Sequence, residues 1–183
     1  MVARRLPETG RLAGLMTYPE LAAAGFSRPS IRGLTSRGVL IRVRRGAYAR
    51  ADLAAGLGDR AIAIAAAVAV AGQGAVASHE DAAFLHGLGQ LDRPRPDLIS
   101  VSRPGGHDRL LRGSPSVRVR ATSLPRTHVT VRGAVPVTSA ARTVADLARS
   151  APFKAGVVVA DSALYRGKTN ARELDTVIGD CRR

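Results

Sequence analysis

The chain of 183 residues has one cysteine, Cys181, so no intrachain disulfide can form and thiolates cannot build a zinc site. It has no tryptophan and only 3% aromatic residues, which leaves an aliphatic, alanine-rich core and few platforms for stacking on single-stranded bases. Lysine occurs only at 154 and 168, and no cluster of carboxylates with a lysine suggests a Mg²⁺-dependent nuclease. The longest apolar run, Ala61 to Ala71, falls far short of the roughly 20 residues that span a bilayer, and reads as a buried helix. The N-terminal segment MVARRLPETGRL has no apolar h-region. No membrane association and no export are expected, and the predicted location is cytoplasmic.

Acidic residues are also scarce, 14 against 28 Lys and Arg, for a net charge of +14 that favours polyanionic partners. Hydrophobic residues at 45% and charged residues at 23% are those of a folded chain rather than a basic tail. The charge is uneven: residues 1–50 carry +8 and the remainder +6. Between Glu20 and Asp52 there is no acid, while Arg28, Arg32, Arg37, Arg42, Arg44, Arg45 and Arg50 all fall there. A general Arg-rich codon bias does not remove acids locally.

In that stretch Thr17 and Glu20 form a capping-box pattern for a short helix ending before Gly25. Ser27 caps a second, with Pro29 in its first turn and Gly38 just past its end. Val39 to Val43, a turn at Arg44-Arg45-Gly46 and Ala47 to Arg50 then read as a β-hairpin with a basic tip. Leu6 to Met16 is predicted to be a preceding helix, weakened by Gly10 and Gly14. The expected fold class is α+β: an N-terminal winged helix-turn-helix over residues 1–55, followed by a mixed α/β C-terminal domain over 56–183.

For the second unit a helix is predicted from Asp59 to Ala71 and another after Ser78, with Asp81 as its capping-box partner. Strands are expected at Asp97–Ser102, Val117–Ala121 and His128–Arg132, and helices at 139–149 (capped by Thr138), 153–166 and 170–181. Arg142 and Asp146 at i, i+4 read as a structural pair worth a few tenths of a kcal/mol. His79 and His86 are seven residues apart, which is not the i, i+4 spacing of a helical metal pair, and no Ser/His/Asp triad or phosphate loop is recognisable. No cofactor, no metal and no catalytic activity are expected.

On the second helix, a rotation of 100° per residue puts Ile31 and Leu34 on one face and Pro29, Arg32, Gly33 and Ser36 on the other. A helix with that exposed face fits the major groove, where an arginine can donate two hydrogen bonds to guanine. Arg32 is the principal base-reading candidate, and Gly33 removes bulk beside it. Arg28 and Arg37 flank the helix and suit phosphates, while Arg42, Arg44 and Arg45 form a wing for the backbone or minor groove. The expected partner is double-stranded DNA.

The segment TYPELAAAGFSRPSIRGLTSRGVLIRVRRGAYA resembles the N-terminal winged helix-turn-helix of AbiEi-type antitoxins, and VASHEDAAFLHGL and VPVTSAARTVADLA resemble actinobacterial members of that family. The resemblance implies a transcriptional autorepressor that binds its own promoter and is paired with a nucleotidyltransferase toxin, the antitoxic activity lying in the second domain. Many similar proteins continue into a restriction-endonuclease-like domain, whereas this sequence stops just after the helix that would lead there. Two alternatives stay open: a DNA nuclease with a winged-helix targeting domain, and a protein-binding antitoxin for which DNA is incidental.

Overall fold

The computed structural model describes residues 5–91 and 97–181. A single 3-10 turn, Leu12–Gly14, leads into β1 (Met16–Thr17), α1 (Tyr18–Ala23), α2 (Arg28–Ser36), β2 (Leu40–Arg44) and β3 (Ala47–Arg50). The three strands form an antiparallel sheet in the order β1-β3-β2. At the start of α1 the Glu20 carboxylate accepts from the Thr17 backbone N–H at 2.7 Å and from its hydroxyl at 2.8 Å, as the capping pattern requires. Ser27 Oγ accepts from the Ser30 N–H at 3.3 Å at the start of α2. Beyond the last turn of α2, Gly38 has φ of 70°, a conformation that reverses the chain into β2 without a Cβ penalty.

The helix predicted over Leu6–Met16 is not there. Ala13 and Gly14 adopt φ of 56° and 55°, so the chain leaves the helical path after one turn. Leu15 and Met16 are both fully buried but in different clusters, Leu15 against the second unit and Met16 with Leu21, Phe26, Ile31 and Leu40. Alternate burial of neighbours is what a strand provides and a helix does not.

The second unit follows with α3 (Ala51–Ala54), α4 (Asp59–Ala71), β4 (Val76–Ala77), α5 (His79–His86), β5 (Ile99–Arg103), β6 (Arg109–Leu111), β7 (Ser114–Ala121), β8 (Val129–Arg132), β9 (Val135–Thr138), α6 (Ala140–Ser150), α7 (Phe153–Tyr165) and α8 (Ala171–Cys181). Its six strands lie in the order β6-β7-β5-β4-β9-β8, with β5–β7 and β4–β9 parallel and the other pairs antiparallel. The whole is α+β. Among the described residues no helix is long and apolar enough to cross a membrane.

Helix α4 is apolar nearly all round, with Ile62, Ile64, Ala65, Ala66, Ala67, Val68 and Ala71 buried, because it is covered on more than one side. One continuous cluster joins it to Leu15, Ala47 and Ala49 of the first unit and to Val101, Val117, Val119 and Val137 of the large sheet. The boundary expected at 55/56 falls in the turn between α3 and α4, and the apolar core runs across it.

Three capping and pairing expectations change on the other face of the sheet. Ser78 begins α5 without a side-chain cap, its Oγ lying 3.0 Å from His79 Nδ1. Asp81 instead accepts from Arg60 at 2.6 Å and from the Ser100 backbone N–H at 2.7 Å, tying α5 to α4 and β5. Helix α6 is capped by Ser139, whose Oγ accepts from the Arg142 N–H at 3.2 Å; Thr138 ends β9 and shares a 2.8 Å hydroxyl contact with Thr143. The Arg142–Asp146 pair is buried rather than a surface ornament, at 2.8 Å with side chains 3% and 7% exposed.

Strand β9 escaped the sequence pattern because Pro136 reads as a break. It stands opposite Val131 of β8, and on its other side β9 pairs with β4 only at Ala77–Val137, so no ladder bond to β4 calls for its missing N–H.

Candidate nucleic-acid interface

Ile31 is buried and Leu34 packs on the small core, which turns the remaining surface of α2 outward. That surface has two stripes. Arg28, Arg32 and Thr35 face the hairpin, and with Arg42, Arg45, Gly46, Tyr18 and Tyr48 they line a cleft of about 420 Å³. Among the described residues no Asp or Glu lines it. Pro29, Ser36 and Arg37 are exposed outside this cleft, with Gly33 half-buried beside them. Of the nine predicted site residues, the cleft therefore brings together Arg28, Arg32, Arg42 and Arg45.

Local geometry explains the arrangement. Strand β2 pairs with β3 through Arg42–Tyr48 and Arg44–Ala47, with a register shift between Arg42 and Arg44 that skews the hairpin end. Arg42 is exposed on this strand and lines the cleft, and Arg45 is at the turn. The Arg28 guanidinium sits over the Tyr18 ring, 5.4 Å from its centroid, a cation–π contact that steadies the N-terminal end of α2. The free N–H groups of the first turn of α2 add a partial positive charge beside it.

Ser36 donates its hydroxyl to the Arg32 carbonyl at 3.0 Å, so its proton is used within the helix. At Gly33 an added Cβ would meet only the Arg37 Nη1 at 3.3 Å, the far end of a flexible side chain.

Arg44 departs from its expected place at the basic tip. It is half-buried, donates through Nη1 to Ser114 Oγ at 3.3 Å at the start of β7, and lies in the field of Arg60 and Asp81. Burial pushes its proton affinity down, and Arg60 adds to that effect. The side chain braces the wing against the large sheet instead of pointing to solvent. Arg45 stays exposed, sharing a second hollow with Arg112 and Gly113 of the β6–β7 turn.

Sequence reasoning missed Tyr18, Thr35 and Tyr48 as walls of the cleft. The available signal was that two of the three tyrosines fall at the acid-poor stretch, Tyr18 just before it and Tyr48 within it. The histidines flagged earlier have separate surroundings. His86 donates from Nε2 to the Thr138 carbonyl at 2.7 Å and accepts at Nδ1 from Arg132 at 3.2 Å, whereas His79 contacts Ser78. Among the described residues no three His, Cys, Asp or Glu side chains are grouped so as to hold a metal ion.

A helix-turn-helix, an adjoining hairpin and an arginine-lined cleft between them are joined here to a larger α+β unit. Residues 6–51 match the family model described as "Transcriptional regulator, AbiEi antitoxin", which bears out over that segment the resemblance seen in the sequence. No curated protein matches the chain. The fold is similar to that of the RV2827C protein from Mycobacterium tuberculosis, known from a crystal structure, with a TM-score of 0.55 and 19% identity over 90% of this chain. This chain spans 66% of that protein's length.

Proposed function

We propose that this protein is a cytoplasmic autorepressor and antitoxin that binds the duplex of its own promoter through α2 and the β2–β3 wing, and that it has no catalytic activity of its own. The carrying observation is the acid-free cleft in which Arg28, Arg32, Arg42 and Arg45 converge. Arg32 has the position for a base edge in the major groove; Arg28, Arg42 and Arg45 neutralise phosphates. The match of residues 6–51 to a family of transcriptional regulators supports the same reading. The partner toxin in this proposal is a nucleotidyltransferase.

The test is fluorescence anisotropy of the chain on a labelled fragment of its own promoter across a salt series. With about three phosphates neutralised, log affinity falls with log salt at a slope of about −3. A slope near zero, or equal affinity for promoter and unrelated duplex, overturns the proposal. Supercoiled plasmid incubated with the protein and Mg²⁺ or Mn²⁺ stays intact; nicking would favour the nuclease alternative. Failure of the adjacent toxin gene product to lose activity when the chain is co-expressed would remove the antitoxin half.

A further inference from the structure

The second unit contains a cavity of about 430 Å³ that the DNA face does not use, a size typical of small-molecule sites. Its chemistry follows from strand register. Strands β5 and β7 run parallel with Ser100 beside Arg118 and Ser102 beside Arg120. Alternation sends Ile99, Val101, Val117 and Val119 into the core with α4, so the serines and arginines share the opposite face. There Ser100, Arg118 and Arg120 meet Arg60 and Glu80 on one wall of the cavity, facing an apolar wall that includes Leu98, Leu147 and Val159.

Among the described residues, the charges of Arg118 and Arg120 on this wall are incompletely matched. Arg60 is engaged with Asp81 at 2.6 Å and with the Leu98 carbonyl at 3.1 Å. The side chains of Arg118 and Arg120 form no hydrogen bond or ion pair among the described residues, and the Arg120 Nε is shut off from solvent without an acceptor. Asp146, outside the lining, receives Arg142 at 2.8 Å through Oδ1, while its buried Oδ2 has no partner among the described residues and it lies in the field of Arg120. Glu80, the one carboxylate in the lining among the described residues, lies 3.5 Å from the Ser100 hydroxyl that donates to it. Unfilled guanidinium donors beside an apolar wall suit a ligand with an anionic head and an apolar body, because two forks can bind several oxygens of one phosphoryl group at once.

We propose that this cavity binds a small organic phosphate, with Arg118 and Arg120 holding the phosphoryl group and Leu98, Leu147 and Val159 covering the organic body. This site is independent of what the α2 cleft binds. It is tested by titrating the intact chain with phenyl phosphate, inorganic phosphate and phenol while following backbone amide NMR signals.

Phenyl phosphate is expected to move the amides of Ser100, Arg118 and Arg120 and to bind about tenfold or more tighter than inorganic phosphate. Phenol should leave them in place. Arg118→Gln, at an exposed position, weakens phenyl phosphate by about tenfold, and adding Arg120→Gln weakens it further. The control Arg32→Ala with Arg45→Ala leaves it unchanged. The proposal is overturned if shifts are confined to α2 and the wing, if phenyl and inorganic phosphate bind alike, or if Arg118→Gln binds as the parent does. A loss of duplex DNA affinity in Arg118→Gln without phenyl phosphate binding to the parent overturns it too, and makes the surface a nucleic-acid contact.

Discussion

His79 combines two features that oppose folding: a left-handed backbone with φ of 56° and an imidazole 6% exposed among arginines. Burial, and then the fields of Arg120, Arg142 and Arg118, push its pKa down from 6.5 to about 3. In the unfolded chain the ring takes up its proton near pH 6.5, while in the folded chain it stays neutral, so its contribution to stability is full above that pH. It is lost as pH falls toward about 3, by up to about 1.4 kcal/mol per pH unit. Asp81, pushed up to about 6 by burial, acts in the opposite sense, since its folded form favours the proton and loses stability as pH rises through that value. A variant isolates the histidine: His79→Asn, which tolerates the left-handed backbone, should flatten the fall in urea-unfolding free energy between pH 6.5 and 4 relative to the parent. An unchanged slope would mean that the ring is solvated. Arg142 is the second sensitive side chain. It donates to Asp146, to the Ser123 carbonyl at 2.9 Å and to Thr122 at 2.8 Å, and its Nη1 at 3.2 Å from His128 Nδ1 fixes that ring with its proton on Nε2, facing Asp180. Arg142→Ala strands a buried carboxylate and should cost about 3–5 kcal/mol in the same measurement, far above the surface-pair value expected from its spacing.

Helix α2 allows folding and binding to be separated by one methyl group. Gly33 lies inside the helix, and an added Cβ meets only the movable Arg37 guanidinium, so Gly33→Ala should raise stability by about 0.5–1 kcal/mol. On a helix seated in the major groove, the same methyl holds the backbone away from the base edges and should weaken promoter binding. A melting curve and an anisotropy titration on the one variant check both signs; stabilisation with unchanged affinity would move the DNA contact away from the Gly33 stripe. Arg32→Ala is expected to cost about 1–3 kcal/mol on the preferred sequence and to relax preference at one base pair, whereas Arg45→Ala weakens all duplexes alike. The elements that the sequence revealed were those with local chemical punctuation: Thr17 with Glu20, Ser27 with Pro29, Gly38, and the Arg45-Gly46 turn. The elements it concealed depend on distant partners. Strand β4 is two residues long and exists because β5 and β9 flank it, and the Leu6–Met16 stretch gives up helix so that Leu15 and Met16 can enter different cores. Arginine-rich spacing located the cleft, but not that Arg44 would turn inward to Ser114, since the two residues are 70 apart in the chain.

Across the whole molecule, the shared core determines how the protein unfolds. Helix α4 is followed by the large sheet, yet it packs on Ala47 and Ala49 of β3 and on Leu15, so the N-terminal sheet has no apolar layer of its own on that side. Its private core amounts to Met16, Leu21, Phe26, Ile31 and Leu40 with a few partly buried neighbours, too little to offset the ordering of some fifty residues. Arg44 adds a polar tie between wing and β7. One cooperative transition is therefore expected on heating or in urea, with tyrosine fluorescence, dominated in the N-terminal unit by half-buried Tyr18 and Tyr48, coincident with the far-ultraviolet signal of the helices. Residues 1–55 produced alone should melt well below the full chain and bind promoter DNA more weakly, because the cleft between α2 and the wing is held in shape from beneath by α4. Adding residues 56–71 to that fragment restores part of the missing layer and should recover part of the lost melting temperature. Two separated transitions in the full chain, or a 1–55 fragment as stable as the whole, would show that the N-terminal sheet stands on its own core and that α4 only leans against it.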